Sequence, residues 1–291
     1  MEFKSYVTEQ LNRSDRHQLI IGAVSPRPIA LVSTLSEDGK SNLAPYSFFN
    51  AISSTPPLLA FSVSTIEHGE KDTLRNIKQR RECVINIVDM KMARQMSLCS
   101  VNFEHGVSEF GKSGLTPLNA TMVKAPRVQE SPVQFECTVK DILVYGNDPG
   151  AANLIVCEVI KIHVRSDVMA REKLRILPGK LDAVGRLGRS YYCSVNDSSV
   201  FEMYQAVQPD CIGFDLLPLS AFVDDAFTKA ELAELASCTR LPNNEELRKY
   251  TKEIAYDILD NRNQLVAKVK SLLNAGNKMQ ALTCLLLADQ L

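Results

Sequence analysis

The residues best suited to chemistry crowd into one stretch of the chain, from Arg27 to Thr73. Arg27 precedes an apolar run that ends in Ser33 and Thr34. Ser47, Phe48, Phe49, Asn50 and Ala51 follow a second run, and Ser62 and Val63 end a third. Lys71, Asp72 and Thr73 stand where a helical pattern begins. Together they offer hydroxyls, an amide, an ammonium and the unpartnered N–H groups of a helix start. That set suits an anion with a planar, hydrogen-bonding ring attached. The same residue types also fill turns and caps in any fold, and Asp72 reads equally well as an N-cap.

Other patterns lose on context. Gly106-Val107-Ser108-Glu109-Phe110-Gly111-Lys112-Ser113 satisfies the phosphate-loop pattern G-x-x-x-x-G-K-[ST]. Such a loop needs a buried strand before it and a helix starting at its Lys-Ser. Here Asn102-Phe103-Glu104-His105 precedes it and Gly114-Leu115-Thr116-Pro117 would break a helix at once, so a surface loop is expected. His17, His68, His105 and His163 show no metal-ligand spacing, and no metal is expected. His163, on an alternating strand, reads as structural or exposed. Neither a G-x-S-x-G elbow nor a G-x-G-x-x-G fingerprint occurs, so hydrolase and dinucleotide-fold readings lack support.

The elements that must position these groups come in two kinds. Residues 29–34, 41–45, 58–63, 83–88, 134–144, 154–164 and 211–217 read as strands, with Asp38-Gly39 as a hairpin turn. Residues 72–80 and 90–97 read as short helices. Many short strands with few helices imply a barrel or sandwich. After Asp225 the pattern turns helical. Thr228 and Glu231 form a capping box, Leu247 to Leu272 recur at helical steps with a gap across Asn261-Arg262-Asn263, and Gly276 is a stop before a last helix from Met279. The expected division is a β domain over 1–222 and a helical extension over 223–291, whose apolar face must pack on the barrel, a partner subunit or another protein.

With 291 residues, 45% hydrophobic and 23% charged, the chain has the composition of a globular protein. A net charge of -1 supplies no field to attract nucleic acid. Eight cysteines are scattered singly with no C-x-x-C pair, several within apolar runs, which points to free thiols in a reducing compartment. A polar N-terminus and apolar runs shorter than the ~20 residues of a membrane span give a cytoplasmic expectation with no membrane partner.

Read in order, several stretches resemble the flavin reductase-like family, the FMN-binding split barrel. They are Pro26-Arg27-Pro28-Ile29-Ala30-Leu31-Val32-Ser33-Thr34, Asn42-Leu43-Ala44-Pro45-Tyr46-Ser47-Phe48-Phe49-Asn50, Pro56-Pro57-Leu58 and Lys71-Asp72-Thr73-Leu74-Arg75-Asn76-Ile77. Leu115-Thr116-Pro117, Glu130-Ser131-Pro132-Val133 and Val184-Gly185-Arg186-Leu187-Gly188-Arg189-Ser190-Tyr191-Tyr192 follow. The likeness covers roughly residues 15–200.

This resemblance implies a mainly β fold, an antiparallel Greek-key split barrel with short helices. It implies bound FMN (or FAD), lined by Arg27, Ser33, Thr34, Ser47 to Ala51, Ser62, Val63 and Lys71 to Thr73. Lys71, Ser47 and Thr73 would meet the phosphate, and the Asn50 amide with backbone around Phe49 to Ala51 would meet the ring edge. The implied activity is flavin reduction by NAD(P)H, in a homodimer, with free flavin, a quinone or a partner oxygenase as acceptor. A flavoredoxin-like carrier serving a partner protein is the alternative. Several members carry Gly-Asp-His just before the strand matching 154–158. This chain has Gly150-Ala151-Ala152-Asn153 there, which leaves the electron donor open. No acid–base residue is assigned, because hydride chemistry belongs to the cofactor.

Overall fold

The computed structural model describes residues 2–67, 69–202, 211–254 and 256–290, and the chain divides into two compact units, Met1–Phe201 and Glu202–Leu291. His68 lies outside the described residues.

In the first unit the strands run β1 (Arg27–Pro28), β2 (Ala30–Leu35), β3 (Ser41–Tyr46), β4 (Phe49–Ser54), β5 (Pro57–Ser64) and β6 (Glu82–Ile87). They continue as β7 (Pro117–Leu118), β8 (Arg127–Val128), β9 (Val133–Tyr145), β10 (Ala152–Val164), β11 (Ala183–Arg186) and β12 (Tyr192–Val195). Seven of them form one antiparallel sheet in the order β3-β2-β6-β9-β10-β5-β4, while β1-β11-β12 and β7-β8 make two small sheets. The long sheet curls without closing its ladder. On its inner face the Tyr46 ring of β3 meets the Phe61 ring of β5 at 5.3 Å between centres, so side chains join what hydrogen bonds leave open. This is a split barrel, mainly β and antiparallel.

Ala30, Val32, Phe61, Val63, Ile85 and Ile155 fill the barrel. Fully burying one such side chain contributes about 1.5–3 kcal/mol. β2 is buried on both faces, because Leu31 points the other way into a second cluster with Leu43, Met92, Met96 and Phe110. That cluster packs the sheet against α3 (Ala93–Leu98) and α4 (Glu109–Ser113); α1 (Arg13–Ala23), α2 (Asp72–Arg80) and α5 (Pro178–Leu181) complete the unit's helices. Leu74 and Ile77, three apart on one face of α2, enter the barrel core. The helix stops where Arg81 takes a left-handed conformation at φ 55°, its N–H donating back to Ile77 O at 2.9 Å.

One buried charge ties a loop to this sheet. Glu136 on β9 is fully buried, and its carboxylate accepts from Thr121 N, Met122 N, Val123 N and His163 Nε2, the last at 2.6 Å. His163 is therefore structural. Burial alone would raise the Glu136 pKa, but the bonds from His163, Met122 and Thr121 outweigh it and hold the value at about 2. All eight cysteines are free.

Two expectations for this unit need correction. Residues 109–113 form a short helix, with Glu109 and Phe110 buried, where a surface loop was expected. The phosphate-loop pattern still has no strand in front of it, and Gly114 at φ +70° ends the helix. The helix expected over 90–97 is shorter and later, Ala93–Leu98.

The second unit is helical: α6 (Lys229–Ala236), α7 (Asn244–Glu253), α8 (Tyr256–Asp260), α9 (Arg262–Asn274) and α10 (Lys278–Ala288). The capping box of Thr228 and Glu231 is present. The apolar stripe is buried within the unit itself. α10 sits at its centre, with Ala281, Leu282, Cys284 and Leu285 wholly enclosed by partners that include Leu235, Val269, Leu217 and Ile212. The core thus begins upstream of Asp225. The helical period expected from Leu247 to Leu272 is broken into α7, α8 and α9, with Ile254 extended and the Asn261 side chain capping α9. Residues 211–217 are not a strand. Gly213 at φ +73° and Pro218 bracket a single turn at Phe214–Leu216. No described helix is long and apolar enough to cross a membrane.

Candidate functional site

A cleft of about 630 Å³ opens between β3, the start of α2 and the loop that follows α3. Tyr46, Lys71, Asp72, Thr73, Asn102 and His105 are among the residues on its wall. Lys71 holds the N-cap position of α2 in extended conformation and gives the helix no side-chain acceptor, so the first-turn N–H groups are left to whatever enters the cleft. Its ammonium lies 5.9 Å from the centre of the Tyr46 ring and makes no ion pair with a described carboxylate. Burial pushes the Lys71 pKa down.

Asp72, next in the chain, is already neutralised. Its carboxylate accepts from Arg75 Nη1 at 2.7 Å and lies 2.6 Å from His105 Nδ1, and it also accepts from Gly106 N at 3.3 Å. It anchors the 105–106 loop to α2. Thr73 is buried, and its hydroxyl accepts from Asn42 Nδ2 at 2.8 Å. Burial holds the pKa of the Tyr46 hydroxyl well above the ordinary value. Glu109 accepts from Leu43 N at 2.8 Å, and burial raises its pKa.

A smaller cleft of about 220 Å³ adjoins the first, the two sharing Pro45 and Ser100. Arg27, Ser47 and Phe48 line it, along with His17, Arg186 and Tyr192. The residues expected to act together thus fall into two neighbouring clefts, Lys71 to Thr73 in one and Arg27, Ser47 and Phe48 in the other.

The remaining expected residues border neither cleft. Ser33 is buried, its hydroxyl donating to Val84 O at 3.4 Å and to Pro126 O. Thr34 Oγ1 accepts from Asn76 Nδ2 at 3.0 Å and Asn42 Nδ2 at 3.4 Å, beneath Thr73. Phe49 packs against the barrel core, and Val63 is part of it. Asn50 and Ala51 are exposed on β4, where Asn50 Oδ1 accepts from Ala51 N. Ser62, half-buried, donates its N–H to Phe48 O at 2.9 Å. Ala152 stands where the resemblance would place a histidine, and its neighbour Asn153 is buried and donates to Val63 O and Thr65 Oγ1, both at 3.1 Å.

The sequence reading passed over Tyr46, Asn102, His105, Arg186 and Tyr192 as site residues. Tyr46, Arg186 and Tyr192 stand inside the stretches that carry the resemblance, which was the available signal. Asn102 and His105 had none, since a loop far along the chain brings them to α2. Among the described residues no group of three or more His, Cys, Asp or Glu is arranged to hold a metal.

Comparison with known proteins agrees with the fold. Residues 21–183 match the family model described as flavin reductase like domain. A protein of Aquifex aeolicus is 38% identical over 189 residues, which is 64% of this chain and 93% of that one. Among solved structures, the 2-nitrobenzoate 2-nitroreductase NbaA of Pseudomonas fluorescens is 32% identical with a TM-score of 0.62, covering 71% of this chain and 98% of its own. Nitrilotriacetate monooxygenase component B of Bacillus cereus is 28% identical with a TM-score of 0.65, covering 71% of this chain and all of its own, 100%. With its split barrel and a match over more than half its length, the chain belongs to the flavin reductase-like family.

Proposed function

We propose that the larger cleft holds FMN and that the protein is an oxidoreductase passing electrons through it. The observation that carries this reading is Lys71, a half-buried ammonium with no described carboxylate partner, set at the start of a helix whose first turn lacks a side-chain cap. An ammonium and the unpartnered N–H groups of a helix start on the wall of one cleft fit a phosphate. The cleft's size lies within the range of cofactor pockets.

In this reading Lys71 and the first turn of α2 anchor the phosphate. The buried Tyr46 ring, packed against Phe61, walls the cleft. Asp72 holds the 105–106 loop in place through His105 and Gly106, and Arg75 offsets the negative charge that Asp72 would otherwise turn on the phosphate. The flavin, when bound, supplies the hydride and single-electron chemistry. NAD(P)H as donor, and flavin or a partner oxygenase as acceptor, complete the first version. The oxygenase is suggested by the name of the Bacillus cereus protein, a monooxygenase component. A homodimer in the cytoplasm belongs to the same proposal.

The carrier reading is favoured by one feature, the stretch Gly150-Ala151-Ala152-Asn153, whose Asn153 amide is spent on Val63 and Thr65. A single experiment separates the two. Protein loaded with FMN is mixed anaerobically with NADH, then NADPH, and the flavin's visible absorbance is followed. Rapid bleaching with turnover on added free flavin supports the reductase. Bleaching only with a protein donor supports the carrier, and a chain that takes up no FMN on titration overturns both.

A further inference from the structure

The smaller cleft has a charge problem that no described residue solves. Arg27 and Arg186 both line it, and no described acidic residue borders it. Arg27 is only 6% exposed; its Nη1 donates to Ile21 O at 2.5 Å and to Val24 O, its Nη2 to Leu187 O at 3.2 Å, and its Nε has no partner. Burial lowers the Arg27 pKa, and the positive charge of Arg186 lowers it further. Arg186 is held by Arg189 O at 2.6 Å and by the Tyr192 hydroxyl. Two guanidiniums are therefore fixed beside one cleft with their charges uncompensated. Most of their N–H groups are taken by backbone carbonyls and the Tyr192 hydroxyl, so what they offer the cleft is fixed positive charge, which attracts an anion such as a carboxylate and costs little further to orient on binding.

Two aromatic side chains, Phe48 and Tyr192, make up part of the remaining wall. The Arg186 guanidinium lies 4.4 Å from the centre of the Tyr192 ring, and Arg27 lies 5.9 Å from that of Phe48. His17 meets Phe48 edge-on at 6.3 Å. Phe48 and Tyr192 are 40% and 39% exposed, so both rings keep surface on which a planar group can stack. A cleft of 220 Å³ admits one small ring system and falls below the usual size for larger ligands.

We propose that this cleft is a subsite for a small planar aromatic carboxylate, its ring against Phe48 and Tyr192 and its carboxylate toward Arg27 and Arg186. That the ligand is the flavin's reaction partner rests on the reading of the larger cleft; that it binds does not.

Calorimetric titration with benzoate and with its neutral isostere benzamide tests the proposal, on flavin-free and on FMN-saturated protein. Benzoate is expected to bind both forms, about tenfold or more tighter than benzamide. The R186Q protein should lose about tenfold or more of the benzoate affinity and keep its FMN affinity. Equal binding of benzoate and benzamide, or no binding of benzoate, overturns the proposal without recourse to any variant. Loss of benzoate binding on FMN saturation also overturns it, because the cleft then belongs to the flavin. If the chain takes up no FMN, the flavin-free titration still decides the subsite.

Discussion

The Lys71 ammonium stands 5.9 Å from the centre of the Tyr46 ring, on the wall of the larger cleft. The aromatic face offers the cation its nearest favourable contact in place of a carboxylate. Such a contact steadies an ammonium without neutralising it, so the charge stays available to an anion.

Replacing Lys71 by alanine should therefore weaken FMN binding by about 1–3 kcal/mol, the range for a charge-assisted hydrogen bond. Riboflavin lacks the phosphate and should bind the variant and the parent almost equally. Flavin fluorescence titration measures both. A loss shared by the two ligands would show Lys71 acting through the fold.

Thr34 lies one layer below the cleft, accepting from both Asn42 and Asn76. Thr34→Val keeps the shape and removes the acceptor, stranding an Asn76 amide whose Oδ1 already has no partner. The variant should lose about 1–3 kcal/mol in urea unfolding, the cost of unsatisfied buried groups. FMN affinity should change little. A large loss of FMN affinity at unchanged stability would instead give Thr34 a direct contact with the cofactor.

The barrel was legible because its strands carry their own signal. β9 alternates, β10 is long and β-branched, and Asp38-Gly39 marks the β2–β3 hairpin. β4 was not legible, since every residue after Phe49 is exposed and only its ladder to β5 makes it a strand. The start of α2 was readable from Lys71-Asp72-Thr73, and it borders the larger cleft. The pairing of Asp72 with His105 was not, because it depends on a loop more than thirty residues away. The helical tail showed its periodicity but hid its breaks. A run of apolar steps looks the same whether one helix or three present them to a core, and only the Asn261 cap, within the gap in the pattern, marked one of the breaks.

Glu136 ties stability to acid. Its pKa is held at about 2 against an ordinary 4.5, so the unfolded chain binds the proton more readily than the folded one. The stabilisation is fully present above the unfolded value and is lost as pH falls through the folded one. Glu136→Gln removes the charge that five groups of Thr121, Met122, Val123 and His163 donate to and should cost about 2–3 kcal/mol at neutral pH. The gap between parent and variant should narrow as pH falls from 4.5 toward 2, followed by chemical denaturation at each pH. A gap independent of pH would mean that packing, not the carboxylate charge, holds residues 121–123 against the sheet.

The two units have separate cores, and this sets where the chain can be cut. Ile212, Leu217 and Ala221 pack with α6, α9 and α10, so a chain ending at Asp224 keeps these residues and removes the helices that cover them. Several apolar side chains left in water cost several kcal/mol at about 25 cal/mol per Å², and exposed patches of that kind drive aggregation. A chain ending at Phe201 removes the second unit whole and leaves the barrel clusters, the two clefts and Lys71 intact. The shorter chain is therefore expected to be the better behaved, monodisperse by light scattering and with the FMN affinity of the full protein, while the Asp224 chain aggregates. Should the Phe201 chain fold yet bind FMN weakly, the helical unit would have to contribute to the flavin site. Should the Asp224 chain stay monodisperse, the core of the second unit would not need its helices to cover it.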